Sequence, residues 1–296
     1  VASIVLADGP AGLRLRSEYQ VREDGSIDGG DFLDGFENGY FAEPKEPTGT
    51  VYHQYCTAIP VGTLLAQSWN LDLMKKLGQM IAGEMNEFEV TLWLAPGMSL
   101  HRNPLCGRNF EYYSEDPLLA GMMASAMTLG VQSVPGCGTT IKHYACNNQE
   151  DNRMGSDSIL SERTLREIYL KGFEIAICNA QPMAMMTSYN LINGVHAANN
   201  YDICTKAVRD EWGFEGAIMT DWTTTTDSTA GECTAAGCMK AGNDMVMPGD
   251  IWDHASIRQA LEDGSLDIRE LKRCVYHTVK IILQSNQYED AVSYED

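Results

Sequence analysis

Short apolar runs alternate with longer amphipathic stretches along the 296-residue chain. Most of the apolar runs contain no charged residue, which is typical of parallel strands that lie between two layers of helices. We predict seven strands, at residues 1–6, 62–66, 90–94, 139–144, 183–188, 217–220 and 244–247. Strands that alternate with helices predict a parallel α/β domain.

The amphipathic stretches carry apolar residues three or four positions apart, which is the spacing of a helix. Asn70 is placed to cap a helix that ends near Phe88, and Ser161 is placed to cap one that ends near Cys178. Further helices are predicted at residues 117–130, 203–212, 228–241, 251–263 and 267–285.

The number of strands and the placement of polar residues favour a (β/α)8 TIM-like barrel whose first β/α unit is missing from this chain. Polar residues follow nearly every predicted strand, at Asp8, Gln67, Pro96, Lys142, His143, Tyr189, Asp221 and residues 248–250. A closed ring brings the carboxyl ends of all its strands to one rim, where such barrels hold their active sites. An open doubly wound sheet is the alternative.

We predict one domain over residues 1–296, with an acidic, glycine-rich insertion at about 17–56. Residues 17–50 contain nine Asp or Glu and two Lys or Arg, and they show little periodicity. The aspartates are not spaced as in an EF-hand loop, so a solvated segment is favoured over a calcium site. Val1 already lies in a strand-like run, so we expect that a segment before it was removed or belongs to another polypeptide, or that this chain is a fragment of a larger one.

Charge and cysteine content narrow the possible partners and compartment. The chain has 21 basic and 41 acidic residues, a net charge of −20, which argues against binding to nucleic acid or to an anionic membrane. Its nine cysteines form no Cys-x-x-Cys pair and are odd in number, which favours buried thiols in a reducing compartment. No run reaches the roughly 18 apolar residues of a membrane span. We expect a soluble, cytoplasmic protein, with secretion left open because a segment before Val1 could be missing.

The run at 217–220 ends in a carboxylate, Asp221, followed by an indole, Trp222. A carboxylate at the carboxyl end of a barrel strand is a candidate for catalysis. Taken alone, Asp221 is equally well explained as the cap of a helix that begins near Asp227. Other segments of the chain are needed to distinguish a catalytic carboxylate from a helix cap.

Four segments at the predicted rim combine charged, amide and aromatic side chains, at residues 8–14, 107–111, 142–153 and 188–190. Sugar sites need charged and amide groups for vicinal hydroxyls and aromatic faces for the C–H surface of the ring. Taken singly, Tyr189, Arg108 and His143 are more often structural residues. As a set, they point to a carbohydrate site.

Seven blocks carry a more specific signal. They are Asp-Gly-Pro-Ala-Gly-Leu-Arg at 8–14, Ala-Gln-Ser-Trp-Asn at 66–70, Cys-Gly-Arg-Asn-Phe-Glu-Tyr-Tyr-Ser-Glu-Asp-Pro at 106–117, Ile-Lys-His-Tyr at 141–144, Asn-Asn-Gln-Glu at 147–150, Met-Thr-Ser-Tyr-Asn at 186–190 and Met-Thr-Asp-Trp at 219–222. With these blocks the chain closely resembles the catalytic barrel domain of the β-glucosidases in glycoside hydrolase family 3.

That resemblance implies roles for the residues of the blocks. It makes Asp221 the catalytic nucleophile, places Trp222 along the first sugar subsite and puts Arg14 beside Asp8. The residues that it implies to hold the sugar are Asp8, Arg108, Lys142, His143, Arg153 and Tyr189. We predict no metal and no cofactor, since the other histidines lack the spacing of metal ligands.

Elementary chemistry agrees with these roles. A nucleophilic aspartate must be ionised, so we expect Arg108, Lys142 and Arg153 to hold the pKa of Asp221 down. Asp8 can accept hydrogen bonds from two ring hydroxyls and thereby reject a sugar that lacks one of them.

A second carboxyl is missing from this set. A retaining glycosidase needs one about 5–5.5 Å from the nucleophile, to protonate the leaving oxygen and then activate water. The resemblance implies that this glutamate comes from a second α/β domain, which the chain to Asp296 does not contain, and it gives Glu111 and Glu150 structural roles. We therefore expect the acid/base to come from a segment before Val1 or from a partner chain. The one-domain branch that acts on N-acetylglucosaminides is disfavoured, because residues 144–148 contain no histidine.

The sequence thus predicts a retaining, exo-acting β-glucosidase that acts on β-glucosides or short β-gluco-oligosaccharides through a glycosyl-aspartate. Three alternatives stay open. One is a β-xylosidase or a broad-specificity exo-glycosidase of the same family, and another is a non-catalytic sugar-binding remnant. The third is an aldolase-like barrel in which Lys142 forms a Schiff base.

Overall fold

The computed structural model describes residues 3–28, 49–225 and 233–288. Its strands in chain order are β1 (Leu6–Ala7), β2 (Glu18–Val21), β3 (Ile27–Asp28), β4 (Thr50–His53), β5 (Leu92–Trp93), β6 (Gly138–Tyr144), β7 (Asp157–Ser158), β8 (Ala184–Thr187), β9 (Leu191–Ile192), β10 (Val195–His196) and β11 (Ala217–Met219). The α-helices are α1 (Gly62–Gln67), α2 (Leu71–Glu87), α3 (Pro117–Val131), α4 (Glu162–Thr164), α5 (Lys171–Ala180), α6 (Ala235–Ala241), α7 (Ile251–Glu262) and α8 (Ile268–Gln284). Two π-helices span Leu165–Tyr169 and Asp202–Glu211, and two 3-10 turns span Asn109–Glu111 and Ala197–Asn199.

The centre of the fold is a parallel sheet in the order β1-β5-β6-β8-β11. A parallel bridge between Met219 and Met245 continues it beyond β11, at the position of the predicted strand 244–247. Each pair of neighbouring strands is parallel, so all the carboxyl ends lie at the same edge. The predicted α/β class is confirmed, and strands occur in six of the seven predicted runs or bridge from them.

Two apolar clusters hold the sheet and its helices together. All seven residues of β6 are buried, including Lys142 and His143. Helices α2, α3 and α5 contribute Met74, Ile81, Met123 and Phe173 to the larger cluster; its buried residues are mainly aliphatic and sulfur-containing. The second cluster joins apolar side chains of β5, β8 and β11 with Ile281 of α8.

The predicted strand at 62–66 is wrong, because this segment is helix α1. Its buried residues are Gly62, Leu65 and Ala66, which is a spacing of three and four and therefore helical. A run of five apolar residues is too short for its periodicity to separate helix from strand. Helix α1 lies against the 109–111 turn, where Thr63 Oγ1 donates to the carbonyl of Asn109 at 2.8 Å.

The predicted helices are found with two changes of type. Asn70 and Ser161 cap their helices as expected, accepting from the backbone N–H of Leu73 at 2.9 Å and of Thr164 at 3.2 Å. The helix predicted from Ser161 consists of α4, a π-helix and α5, and the one predicted at 203–212 is a π-helix. Of the helix predicted at 228–241, the described part contains α6, and residues 226–232 lie outside the described residues.

The predicted insertion contains a small antiparallel sheet, in the order β3-β2-β4, which the sequence analysis did not identify. Tyr19 and Tyr52 stack across it with ring centroids 5.5 Å apart. Residues 29–48 lie outside the described residues, so the extent of the insertion and of the domain stays a prediction.

All nine cysteines lie in the described residues as free thiols, and seven are buried, as expected from the sequence. Among the described helices, none combines the length and the apolar character that a bilayer crossing needs.

Candidate active site

One part of the site is built around the carboxylate of Asp8, directly after β1. The chain turns back at once, with the N–H of Arg14 donating to the carbonyl of Asp8 at 2.8 Å. Gly9 has a φ of 121°, and a Cβ there would lie 2.0 Å from the carbonyl oxygen of Gly12, so the turn requires glycine. This turn sets the Asp8 carboxylate at the carboxyl edge of the sheet.

Two cations hold that carboxylate. Lys142 Nζ of β6 donates to Asp8 Oδ1 at 2.6 Å, and the guanidinium of Arg14 pairs with Oδ2. Burial raises the pKa of Asp8, but Lys142 and Arg14 outweigh it and hold the pKa below its ordinary value. Asp8 is therefore ionised at neutral pH, and part of its side chain stays open to solvent.

Asp221 lies two residues after β11, and its side chain is buried. Its Oδ1 accepts a hydrogen bond from the N–H of Trp222 at 2.7 Å. Its Oδ2 has no hydrogen-bond partner within the described parts of the chain, and Nε2 of His143 lies 3.5 Å from it. One oxygen is thus fixed, while the other is available for reaction. The alternative helix cap near Asp227 falls outside the described residues.

The charge of Asp221 is set by opposing effects. Burial raises the pKa of its carboxyl, whereas Lys142, the N–H of Trp222 and Arg108 lower it. The net shift is upward. The expectation that cations would keep this pKa down is therefore wrong in its net direction, because desolvation of a buried carboxylate outweighs their attraction.

His143 links Asp221 to an aromatic residue that the sequence analysis left out. Its Nε2 faces Asp221, and its Nδ1 lies 3.0 Å from the hydroxyl of Tyr112. Burial lowers the pKa of His143 well below its ordinary value, and Arg108 and two further cations add to this shift. His143 is therefore neutral at pH 7.

Two of the three predicted arginines of the site, Arg108 and Arg153, are each held by a glutamate three residues away. Arg108 pairs through Nε with the buried Glu111, and Arg153 donates from an Nη to Glu150 Oε2 at 2.8 Å. Both glutamates are thus engaged in ion pairs, and the structural roles that the resemblance implies for them stay predictions.

Arg153 connects to the segment that contains Asp221 through an aromatic ring. Its guanidinium carbon lies 4.3 Å from the ring centre of Tyr189, a cation–π contact. The Tyr189 hydroxyl donates to the carbonyl of Trp222 at 2.9 Å. The ring therefore couples Arg153 to the residue next to Asp221.

The nine predicted site residues thus fall into connected groups. Asp8, Arg14 and Lys142 form one, Asp221 and His143 form another, and Arg153 and Tyr189 join the second through Trp222. Arg108 contributes through its charge. A cleft of about 540 Å³ opens beside Asp8, Arg14 and Arg108, and Phe110 also lines it. Sites for small ligands typically measure roughly 300–1,000 Å³.

Within the described residues, no group of three or more His, Cys, Asp or Glu side chains could hold a metal ion.

A family model described as the glycosyl hydrolase family 3 N terminal domain matches residues 44–281. The chain belongs to glycosyl hydrolase family 3. The N-terminal domain of this family has a TIM-barrel-like α/β fold, which confirms the predicted fold class.

Two relatives of this family 3 chain carry names that state an enzyme activity. Beta-glucosidase A of Butyrivibrio fibrisolvens is 51% identical over 166 residues, which is 56% of this chain and 20% of that protein. Exo-alpha-(1->6)-L-arabinopyranosidase of Bifidobacterium breve is 42% identical over 226 residues, which is 76% of this chain and 29% of that protein.

A solved structure agrees with this family 3 assignment over nearly the whole chain. Beta-glucosidase 3B of Thermotoga neapolitana, in complex with alpha-D-glucose, is 42% identical, with a TM-score of 0.78. The match covers 95% of this chain and 35% of that one. The chain therefore spans about a third or less of the length of these proteins.

Proposed function

We propose that this chain is the nucleophile-bearing barrel domain of a retaining, exo-acting β-glucosidase. The observation that carries the proposal is the different hydrogen bonding of the two carboxylate oxygens of Asp221. One carboxylate oxygen is fixed by the N–H of Trp222, and the other is buried, free of hydrogen bonds within the described residues and next to His143. An oriented and poorly solvated carboxylate oxygen is well suited to attack carbon.

The reaction takes two displacements at the anomeric carbon. Asp221 Oδ2 attacks this carbon, and the bond to the aglycone oxygen breaks with its electron pair moving to that oxygen, which takes a proton from an acid. Water then gives a proton to the conjugate base and attacks the same carbon, and the ester electron pair returns to Asp221. Two inversions at one carbon give net retention.

In the same proposal, Asp8 and Lys142 hold the sugar. Asp8 accepts hydrogen bonds from two neighbouring hydroxyls, and Lys142 keeps it ionised and in place through its 2.6 Å contact. A sugar without one of these hydroxyls leaves a partly buried carboxylate unpaired, which is costly. This pairing supports glucose over a pentose that lacks the exocyclic hydroxymethyl group.

The acid/base glutamate is supplied from outside this chain in our proposal. Glu111 and Glu150 are the glutamates of the motif blocks nearest to the site, and each is engaged by an arginine. An arginine beside a carboxylate favours its ionised form, whereas a general acid must carry a proton. These contacts support a glutamate from a second α/β domain or from a partner chain.

The Schiff-base alternative has less support. A Schiff-base lysine attacks as a neutral amine, whereas Lys142 Nζ lies 2.6 Å from a carboxylate oxygen of Asp8. Borohydride trapping with a carbonyl substrate would test it directly.

The decisive experiment is covalent labelling of the full chain with 2,4-dinitrophenyl 2-deoxy-2-fluoro-β-glucoside. Its leaving group departs without an acid, so the missing glutamate does not prevent the first step. We expect the intact mass to rise by one fluoroglucosyl group, on the peptide that contains Asp221. The matched Asp221→Asn variant should stay unlabelled.

A label at another residue would refute the nucleophile assignment. Binding of glucose without any label would instead favour the sugar-binding remnant. The same assay with fluorinated xyloside and arabinopyranoside compares the alternative substrates, the second of which the Bifidobacterium breve relative carries in its name.

A further inference from the structure

Tyr112 is a fully buried tyrosine that none of the assigned roles includes. Its hydroxyl lies 3.0 Å from His143 Nδ1, and the two rings meet edge to face with centroids 6.1 Å apart. His143 Nε2, on the other side of the same ring, faces the free Oδ2 of Asp221 at 3.5 Å. The three residues therefore form one continuous line of polar atoms.

The backbone of Tyr112 is fixed from several sides. Its carbonyl accepts from Thr63 Oγ1 at 3.0 Å and lies 3.1 Å from His101 Nε2. Its ring lies against Gly97, where an added Cβ would come within 3.0 Å of the ring. The hydroxyl is thus delivered to His143 by a rigid part of the fold.

The direction of the proton along this line follows from charge and geometry. Burial raises the pKa of the Tyr112 hydroxyl far above neutral pH, so the hydroxyl keeps its proton. His143 is neutral, so only one of its ring nitrogens carries hydrogen. The other tautomer would set a nitrogen lone pair against the carboxylate of Asp221, which is repulsive.

We propose that Tyr112 is a positioning residue that donates a hydrogen bond to His143 Nδ1 and so holds the imidazole N–H on Nε2, aimed at Asp221 Oδ2. The inference rests on the proposed function, since it assigns a purpose to this N–H in glycosyl transfer. An N–H at Oδ2 orients the attacking oxygen and stabilises the carboxylate when the ester breaks. A distance of 3.5 Å is long for a hydrogen bond, but such contacts often tighten when substrate binds.

The test compares Tyr112→Phe with Tyr113→Phe in the full chain. Both changes remove one hydroxyl from a buried ring, but Tyr113 belongs to the apolar core. The first readout is the rate of labelling by 2,4-dinitrophenyl 2-deoxy-2-fluoro-β-glucoside. We expect Tyr112→Phe to slow labelling by about 10-fold to 100-fold, by analogy with the loss that follows removal of the outer partner of a metal-binding histidine. Tyr113→Phe should label at the wild-type rate.

The second readout is the tautomer of His143, which a merely structural tyrosine would not set. Nitrogen-proton correlation spectra distinguish Nε2–H from Nδ1–H imidazoles, and His143→Gln identifies the signal among the six histidines. We expect pure Nε2–H in the wild type and in Tyr113→Phe, and a mixture in Tyr112→Phe.

An Nδ1–H tautomer in the wild type would overturn the inference, as would wild-type labelling by Tyr112→Phe. If the wild type takes no label at all, the proposed function fails, while the tautomer still decides the role of Tyr112. Should Tyr112→Phe not fold, the wild-type spectrum alone decides it.

Discussion

The carboxylate of Asp221 has to meet two opposing requirements, poor solvation and ionisation. Attack on carbon favours a poorly solvated oxygen, but loss of solvation raises the pKa and favours the protonated, unreactive form. In this structure burial is the larger effect, and Lys142, the Trp222 N–H and Arg108 recover part of the ionisation. The cations of the site therefore limit the upward shift that burial causes in the pKa of Asp221.

Arg108→Gln should move the acid limb of the labelling reaction to higher pH. Labelling needs ionised Asp221, so its rate falls as the pH falls through the pKa of this carboxyl. Arg108 lowers that pKa, and its removal lets burial raise it further. The measurement is the pH profile of labelling by the activated fluoroglucoside.

Arg14→Gln is the matched control for this profile, because its guanidinium pairs with Asp8. We expect its acid limb to stay at the wild-type position. An acid limb of Arg108→Gln that stays in place, or that moves to lower pH, would contradict the electrostatic role of Arg108.

Among the elements, the packing of α2 on α3 depends on glycine. A Cβ on Gly78 would lie 2.5 Å from the carbonyl oxygen of Met127, and one on Gly130 would lie 2.2 Å from that of Lys75. Both contacts are with backbone, which cannot rotate away. The two helices can therefore lie this close only because neither glycine has a side chain.

Gly78→Ala should destabilise the fold by about 1–3 kcal/mol, the usual cost of overpacking a tight interior contact. Gly83→Ala in the same helix is the control, since a Cβ there meets nothing within 4 Å. It should stabilise the protein by up to about 1 kcal/mol, because alanine favours helix over glycine. Urea unfolding of both variants measures the difference, and equal effects would disprove close packing at Gly78.

The elements also show which features a sequence can specify. Helix α2 was predictable because Asn70 supplies a cap and a long apolar stripe follows. The run at 62–66 was mistaken for a strand because five residues do not define a period. Asp221 and Lys142 lie in recognisable blocks, but the contact between Tyr112 and His143 joins residues 31 positions apart. No local pattern encodes such a pair, because it forms only when tertiary packing brings the two rings together.

The contacts of a buried carboxylate beside β11, Asp244, are likewise not predictable from local sequence. Asp244 accepts from the N–H of Ile218 at 2.8 Å, and it pairs with Arg209 at 2.6 Å and with His277 at 2.9 Å. The sequence alone predicts Asp244 only as the first residue of a strand. Its role in joining α8 and a π-helix to the sheet depends on three distant segments.

For the whole molecule, the site is assembled from strand ends that are far apart in sequence. Asp8 and Lys142 are 134 positions apart, and Tyr189 and Trp222 are 33 apart. The parallel sheet brings them to one edge. In our proposal the resulting site holds a sugar and attacks it, but its nearby glutamates are paired with arginines. With a leaving group that needs no acid, a chain of this kind should complete the first displacement and stall before the second.

The isolated chain should therefore release 2,4-dinitrophenol from the activated β-glucoside in one fast turnover and then react slowly. The first step needs no acid because the leaving group is a weak base, whereas the second needs a base to deprotonate water. Azide is an anion that attacks without losing a proton. It should accelerate turnover by about 100-fold, within the usual range for general-base catalysis, and give β-glucosyl azide with retained configuration.

Burst kinetics and the configuration of the azide product, determined by NMR, measure this outcome. Asp221→Asn with azide is the control and should give no β-glucosyl azide, because no glycosyl-aspartate forms. Fast hydrolysis of an alkyl β-glucoside by the purified chain, at a rate that azide does not change, would mean that the chain contains its own acid/base. Glu111 and Glu150 would then be the candidates for the acid/base, and each would have to leave its arginine to act.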